Sequence, residues 1–351
     1  MDSLLQKMLD TAGISGYESE IAGVMSDAFK KTGAQVYTDT FGNVIAQKGS
    51  GKKKIMLASH MDEVGLIIKF ITKEGFLKFI KVGGIDDRIL PGQRLIVKAK
   101  KGDVHGIIGS KPPHLQKDDE RKKPLKYDDM IIDIGCKSKG EVEKRVEIGD
   151  PAIFNQHSGN LSGDFYFGRA IDDRVGCYVL VKIMEKIKVN AQVFAVATAQ
   201  EEVGLKGART ASFKINPDFA IAIDTSLSGD TPQIKETESS LKLGAGPAIT
   251  IMEAAGRGVI VSEKIKNLFK ETAKNNKIRY QMDVLEGGMT DGAIIYMNRE
   301  GIPTGVISIP ARYVHSPVGV FSMSDVNATV DLCIKVIEKV AGEKVHKCMS
   351  A

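Results

Sequence analysis

Apolar residues recur along this chain in two rhythms. Near the amino-terminal end Leu4, Leu5, Met8 and Leu9 share one helical face, and so do Ile21, Val24, Met25, Ala28 and Phe29. That spacing predicts two amphipathic helices, separated by Gly13 and the Ser15-Gly16 pair. Phe41-Gly42-Asn43 marks the turn of a hairpin. Predominantly apolar runs rich in Val, Ile, Ala and Phe then appear at residues 55–58, 193–199, 219–223 and 306–309. Such runs predict strands buried on both faces. The helical rhythm returns in Val175, Val179, Leu180, Ile183 and Ile187, which predict a helix over 174–187. Ser262 is placed to cap a helix over 263–275, and Ser324 to cap a last helix striped by Val326, Val330, Cys333, Val336, Ile337 and Val340. Further strands are expected at 278–285 and 304–309, with a helix near 291–298.

Between about 65 and 165 the pattern differs. Short apolar runs at 65–71, 95–99, 104–108 and 130–134 are set among frequent glycines with no helical period. This reads as a small all-β unit inserted into an α/β domain. The expected organisation is a first part of the α/β domain over 1–65, the insert over 66–165, and the second part over 166–351. Inside the insert, the mixed-charge run over 116–123 ends at Pro124 and reads as a solvated loop. The 351 residues suit about two domains of ~150 residues.

Composition narrows the function. Hydrophobic content is 42%, charged content 26% and net charge +5. No basic stripe interleaved with aromatics is present, which argues against nucleic acid as a partner. Every apolar run falls far short of the ~20 residues needed to span a bilayer, and no signal peptide is visible at the start. None of Cys136, Cys177, Cys333 and Cys348 forms a C-x-x-C pair, so neither a thiolate zinc site nor a redox pair is indicated. Reduced thiols fit a cytoplasmic protein.

The candidate chemistry sits where apolar runs end. Ser59-His60-Met61-Asp62, Asp172-Asp173, Gln200-Glu201-Glu202, Asp224 and His315 each directly follow, or lie just beyond, an apolar stretch, of which Ala170-Ile171 is too short to read alone as a strand. In an open α/β sheet, ligands bind outside the carboxyl ends of strands. His60, Asp172, Glu202, Asp224 and His315 offer the nitrogen and oxygen donors that suit zinc, cobalt or manganese. Five ligands exceed what one catalytic zinc takes, and three or four clustered carboxylates call for more than one cation. Two divalent ions sharing a bridging carboxylate use all five, and such a pair activates water. Successive residues of an extended chain point in opposite directions, so Glu202 can face a metal while Glu201 faces the space above it as a proton carrier. Asp62, two residues after His60, is placed to orient the imidazole. His105, His114, His157 and His346 read as structural or solvent-facing. Taken singly, a Glu-Glu pair is an ordinary surface feature and Asp172-Asp173 an ordinary helix start; it is the convergence at strand ends that indicates a site. Gly287-Gly288-Met289-Thr290-Asp291 lacks the lysine of a phosphate loop, and its amides are candidates to meet a substrate carbonyl.

Several stretches together closely resemble the glutamyl-aminopeptidase, or tetrahedral aminopeptidase, family of dinuclear metallopeptidases. They are Ser59-His60-Met61-Asp62-Glu63-Val64-Gly65, Ala170-Ile171-Asp172-Asp173-Arg174-Val175-Gly176, Gln200-Glu201-Glu202-Val203-Gly204-Leu205-Lys206-Gly207-Ala208, Asp224-Thr225, Gly229-Asp230-Thr231-Pro232 and Arg312-Tyr313-Val314-His315-Ser316-Pro317. The resemblance runs in order over nearly the whole chain. It implies a zinc-peptidase-like α/β fold, a mixed sheet flanked by helices, interrupted by a barrel-like dimerisation domain. It further implies that His60 and Asp224 bind one ion, Glu202 and His315 the other, and that Asp172 bridges them. Glu201 would be the general base and Asp62 a supporting acid beside His60. Two divalent ions per subunit, zinc with cobalt or manganese as alternatives, peptide substrates and a homo-oligomer, up to a dodecamer built from dimers, complete the implied picture. The chain departs from the family at Ser59, where Ala is frequent, and at Met289, where a third glycine is common.

The leading expectation is therefore a metallo-aminopeptidase. A related metal-dependent deacylase or carboxypeptidase would use the same ligands. An endoglucanase, a label given to some members of this family, needs only two carboxylates flanking a sugar and leaves the remaining ligands unexplained. A non-enzymatic shell protein would be indifferent to the loss of Glu201.

Overall fold

The computed structural model describes residues 1–118 and 124–342. Asp119, Glu120, Arg121, Lys122 and Lys123 of the mixed-charge run, together with His346 and Cys348, lie outside the described residues. The two amino-terminal helices form at Ser3–Asp10 and Ser19–Lys31. A hairpin follows: strand β1 (Gln35–Thr38) pairs antiparallel with β2 (Val44–Lys48). The Asp39 carboxylate shapes its turn by accepting the N–H groups of Phe41 and Asn43. Strand β3 (Lys54–His60) leads to the inserted unit.

That unit is a closed barrel. It comprises β4 (Gly65–Ile71), β5 (Leu77–Val82), β6 (Arg94–Ala99), β7 (Gly102–Gly109), β8 (Ile131–Asp133) and β9 (Pro151–Phe154), joined in the order β4-β5-β8-β7-β6-β9. Closure leaves no unpaired edge. Inward-facing residues such as Leu66, Ile68, Leu77, Phe79, Val97 and Ile132 form its own core. By compactness the barrel groups with Glu63–His157 and His315–Pro317. The sequence placed the end of the insert at 165; in the structure β10 (Gly159–Ser162) and β11 (Phe165–Gly168) already belong to the large sheet. Both are only four residues long, like the short strands of the barrel, so nothing in their length separates them from barrel strands.

The other unit contains an eleven-stranded sheet. The remaining strands are β12 (Gln192–Thr198), β13 (Phe219–Leu227), β14 (Ala248–Met252), β15 (Gln281–Val284), β16 (Thr304–Arg312) and β17 (Gly319–Ser322). The main path runs β1-β2-β12-β3-β13-β16-β17-β11-β10, with β14 pairing to β15 and β16. Neighbours β12, β3, β13 and β16 are parallel to one another, and antiparallel strands flank them. The central strands are largely apolar along their middles because helices cover both faces. On one side Ile55, Leu57, Val193, Ala195 and Ala197 meet the helices Ser3–Asp10, Ser19–Lys31, Ile171–Lys186, Glu263–Asn275 and Met323–Gly342. On the other, Met56, Ala58, Phe194 and Val196 meet Lys206–Ile215 and Gly292–Ile295. Among the described residues, no helix is long and apolar enough to cross a membrane.

Two local expectations change. Ser262 does cap its helix, accepting the Ile265 N–H at 3.4 Å. Ser324, however, lies inside the last helix and not at its cap. Its N–H donates to Asp164 Oδ2 at 2.6 Å, so a carboxylate from the β10–β11 turn does the capping work. The expected strand over 278–285 is confined to β15, at a sheet margin with one neighbour.

Arg174 is fully buried and ties three segments together. Its guanidinium donates to the carbonyls of Met61 (2.6 Å), Met8 (2.7 Å) and Thr11 (3.1 Å). Hydrogen bonds to a charged donor are each worth about 1.5–3 kcal/mol, and orphaned buried carbonyls are costly. Arg174→Met is therefore expected to lower unfolding free energy by roughly 3 kcal/mol or more, read by urea denaturation. A loss under about 0.5 kcal/mol, the scale of a surface substitution, would contradict this role.

Candidate active site

Strand register brings two of the expected residues, His60 and Asp224, to one edge of the sheet. Thr198 at the end of β12 pairs with His60 at the end of β3, and Ala222 of β13 pairs with Ala58 of β3. Two residues further along each strand, Asp224 comes level with His60. Past Thr198 the chain turns through Gln200, at φ +57°, into Glu201 and Glu202. Asp172 and Asp173 precede the regular part of the helix Ile171–Lys186. Their backbones are not helical (φ −77°, ψ 108° and φ −121°, ψ 44°), and the peptide bond between them is cis. The Ala170-Ile171 stretch is thus the approach to a helix, with Ala170 at φ +51°.

His60, 2% exposed, is the centre of the cluster. Its Nε2 lies 3.2 Å from Asp172 Oδ1 and 3.9 Å from both Asp224 Oδ1 and Glu201 Oε2. Among the described residues, two sets of three hold potential ligand atoms within 4.8 Å of one another: His60, Asp172 and Glu202, and His60, Asp173 and Asp224. Each set supplies one imidazole nitrogen and two carboxylate oxygens, the donor chemistry of zinc, cobalt or manganese. The residues present therefore fit a divalent metal centre. His315 is in neither set. With Ser316 and Pro317 it groups with the barrel unit, where a Cβ on Gly84 would lie 2.9 Å from its Nδ1, so glycine at 84 leaves room for the ring. Three other histidines, His105, His114 and His157, are exposed. Cys177 and Cys333 are buried free thiols, and Cys136 is half-buried.

Asp173 was not among the expected ligands. Its carboxylate accepts the Ser59 hydroxyl and the Gly176 N–H, the latter at 3.1 Å. Ser59, one of the two departures from the family pattern, thus has a defined task under the site. Asp62 also does more than stand beside His60. The imidazole Nδ1 meets the Asp62 backbone carbonyl at 3.2 Å, with the carboxylate 3.6 Å away. The carboxylate accepts the Glu201 N–H (3.0 Å), the Glu202 N–H (3.2 Å) and the Ser15 hydroxyl (2.6 Å). In the Gly287–Asp291 stretch, Thr290 donates to buried Glu253 at 2.6 Å, and Asp291 accepts the Thr198 hydroxyl at 2.5 Å. Asp230 and Arg312, from two further motifs, form a two-pronged ion pair at 2.9 and 2.6 Å.

The electrostatics follow from crowding. Burial raises the carboxyl of Asp224 well above its usual range, and repulsion from Asp173 and Asp172 adds to it. Burial likewise raises Glu201; His60 opposes this, while Asp291, Glu202 and Asp62 reinforce it. Asp173 is raised by burial, against His60 and with Asp172. Burial alone would push the His60 imidazole down, but Glu201, Asp172, Asp62 and Asp224 hold it well above its ordinary value. Asp62 is the exception: burial pushes it up, yet His60, the Ser15 hydroxyl and the Glu201 N–H hold it below the usual carboxylate range. Asp291 is pushed up to about 6 by burial.

The sequence profile described as M42 glutamyl aminopeptidase matches residues 42–332. The chain belongs to that family. It is 32% identical over 344 residues to the lysyl aminopeptidase of Pyrococcus furiosus, covering 96% of each chain. Among solved structures, a TET aminopeptidase from a marine sediment archaeon, Thaumarchaeota archaeon, superimposes with TM-score 0.94 at 37% identity, covering 97% of both chains. The TET1 peptidase of Pyrococcus horikoshii, which can assemble into a tetrahedron or a large octahedral shell, does so with TM-score 0.86 at 35% identity, covering 95% of this chain and 98% of that one. As a member of the M42 family, the chain is a peptidase hydrolase of the aminopeptidase type.

A pH dependence follows for the metal-free protein. His60, Asp173, Glu201 and Asp224 all bind protons more tightly folded than unfolded. The folded state then holds more protons, so their contribution to stability falls as pH rises. For the carboxyls the fall begins above the unfolded value of about 4, and for the imidazole above about 6.5, continuing through the raised folded values. Asp62 acts oppositely, but only below about pH 4. In excess chelator, the thermal midpoint is expected to drop between pH 5 and pH 8, and Asp224→Asn to flatten the drop. Equal slopes for the two proteins would refute the linkage.

Proposed function

We propose that the chain removes amino-terminal residues from peptides at a pair of divalent metal ions, with Glu201 as general base. The observation that supports this best is the gathering of Asp172, Glu202 and Asp224 around the buried His60 imidazole, with Glu201 Oε2 3.9 Å from its Nε2. In this reading His60, Asp172, Glu202, Asp224 and His315 would hold the ions, His60 and Asp224 serving one, Glu202 and His315 the other, and Asp172 both. The nitrogen and oxygen donors favour zinc, with cobalt and manganese as alternatives. Bound there, divalent ions supply a Lewis acid for the scissile carbonyl and lower the pKa of water.

The protein's own groups do the rest. Glu201 accepts a proton from the attacking water and passes it to the nitrogen of the leaving amine. Asp62 fixes the backbone of Glu201 and Glu202 through their N–H groups, which sets where both carboxylates stand. It also keeps His60 in place through its main-chain carbonyl. Asp173, held by Ser59 and Gly176, anchors the start of the helix behind Asp172. A homo-oligomer assembled from dimers, in the manner of the TET1 peptidase, with the barrel contributing to assembly, belongs to the same proposal, as does a cytoplasmic setting.

Purified protein supplied with zinc, cobalt or manganese is expected to hydrolyse aminoacyl-anilides and short peptides from the amino end, and to stop when a chelator is added. Glu201→Gln is expected to lower kcat by about 10²–10⁴-fold with metal content unchanged. Folded, metal-loaded protein that leaves every such substrate intact, or hydrolysis that survives both chelation and Glu201→Gln, overturns the proposal. Survival under chelation is also what a two-carboxylate glycosidase would show.

A further inference from the structure

The segment between the first two helices reads in sequence as a glycine-marked separator. In the structure two of its side chains bear on the turn that carries Glu201 and Glu202. Three consecutive N–H groups of this turn end on carboxylates from elsewhere in the chain. Gln200 N–H donates to Glu18 Oε1 at 3.1 Å, Glu201 N–H to Asp62 Oδ1 at 3.0 Å, and Glu202 N–H to Asp62 Oδ2 at 3.2 Å. Ser15 Oγ donates to the same Asp62 Oδ2 at 2.6 Å, so the segment grips Asp62 as well as the turn.

The segment is shaped for this. Glu18 Oε1 also accepts the Gly16 N–H at 2.8 Å, which closes a tight local loop, and Gly16 sits at φ +87°, a conformation open to glycine. Gly13 permits close approach: a Cβ there would lie 2.7 Å from Arg174 Nη2 and 2.5 Å from Ile21 Cγ2. On the other side, Gln200 occupies the left-handed region at φ +57°, which costs a non-glycine residue energy unless its surroundings hold it there. Amides at the start of such a turn lack regular partners, and an N–H left without an acceptor in a partly buried place is costly. Glu18 supplies the acceptor for the residue at which the chain changes direction.

We infer that residues 15–18 brace the catalytic turn, and that Glu18 is a positioning residue. Its carboxylate fixes the Gln200 backbone, and through it the direction in which Glu201 and Glu202 leave β12. Ser15 works in parallel by orienting Asp62. This rests on the roles given above to Glu201 and Glu202. Positioning of this kind acts on turnover more than on binding, because small displacements of a reacting group carry large rate penalties.

The test compares wild type, Glu18→Ala, Glu18→Gln, Ser15→Ala and Glu201→Gln, all loaded with zinc. Read for each are kcat and KM on an aminoacyl-anilide, metal content, and hydrogen exchange in peptides spanning residues 199–205. Glu18→Ala is expected to lower kcat by about tenfold or more, with KM within about twofold and metal content unchanged. It is also expected to speed exchange at 200–202 by about tenfold, without change in the helix Lys206–Ile215. Glu18→Gln, which keeps a carbonyl oxygen for Gln200, is expected to restore both readouts to within about threefold of wild type. If Glu18→Ala keeps wild-type kcat and exchange, or Glu18→Gln is as impaired as Glu18→Ala, the brace is wrong. Should Glu18→Ala fail to fold, Ser15→Ala decides: faster exchange at 201–202 with lower kcat supports the brace, and wild-type behaviour overturns it. An inactive Glu201→Gln beside an unaffected Glu18→Ala refutes the brace alone. An active Glu201→Gln refutes the catalytic reading, and the exchange data still decide whether the brace exists.

Discussion

Buried negative charge around one imidazole is the constraint on which the rest of this structure depends. Asp62, Asp172, Asp173, Glu201 and Asp224 all act electrostatically on His60 or are acted on by it. Taking several carboxylates out of water is expensive, and one imidazolium cannot compensate them. Only Asp62 escapes, because donors from three segments converge on it. Asp173, Glu201 and Asp224 are raised, which is how a folded protein responds when its acids lack counter-charge. Divalent metal is the natural counter-charge, since each such ion contributes two positive charges and takes carboxylate oxygens as ligands.

The fold makes that concentration possible without collapsing under it. Four parallel strands, buried on both faces, end along one edge, and their register sets His60, Thr198 and Asp224 level with one another. The edge needs hydrogen-bond donors, since helix and sheet no longer supply them. Asp62 and Glu18 take the amides of the turn after β12, Ser59 and Gly176 hold Asp173, and Arg174 gathers the carbonyls of Met8, Thr11 and Met61. The acids are therefore held by the same network that closes the ends of the strands. Rigidity of this kind is what a catalytic group needs if it is to meet a bond at short range.

Much of this was legible in the sequence, for definite reasons. The runs at 55–58, 193–199 and 219–223 stand out because two-sided burial leaves few polar positions, and the helices stand out because one face of each meets the sheet. His60, Asp172, Glu202 and Asp224, which the structure brings together, stand out in the sequence because they follow those runs or precede a helix. Other features leave no such trace. The margins of the sheet, β10, β11 and β15, are short and half-exposed, so their period is lost. Ser324 looks like a cap, yet Asp164 from a distant turn takes the role. Asp173 was visible as the second of a pair, but its bond to Ser59 depends on an irregular backbone that composition does not encode. Ser15 and Glu18 are ordinary residues in a turn, and only the path of the folded chain brings them to residues 200–202. His315 was marked by a motif, and its place with the barrel unit is a property of the three-dimensional chain.

The most direct measurement is a crystal structure of zinc-loaded protein with anomalous scattering recorded on both sides of the zinc absorption edge. Two anomalous peaks are expected at the carboxyl edge of the sheet, one ligated by His60, Asp224 and Asp172, the other by Asp172, Glu202 and His315. Peaks confined to surface carboxylates, or none within ligand distance of His60, would contradict the metal centre and with it the chemistry assigned to Glu201.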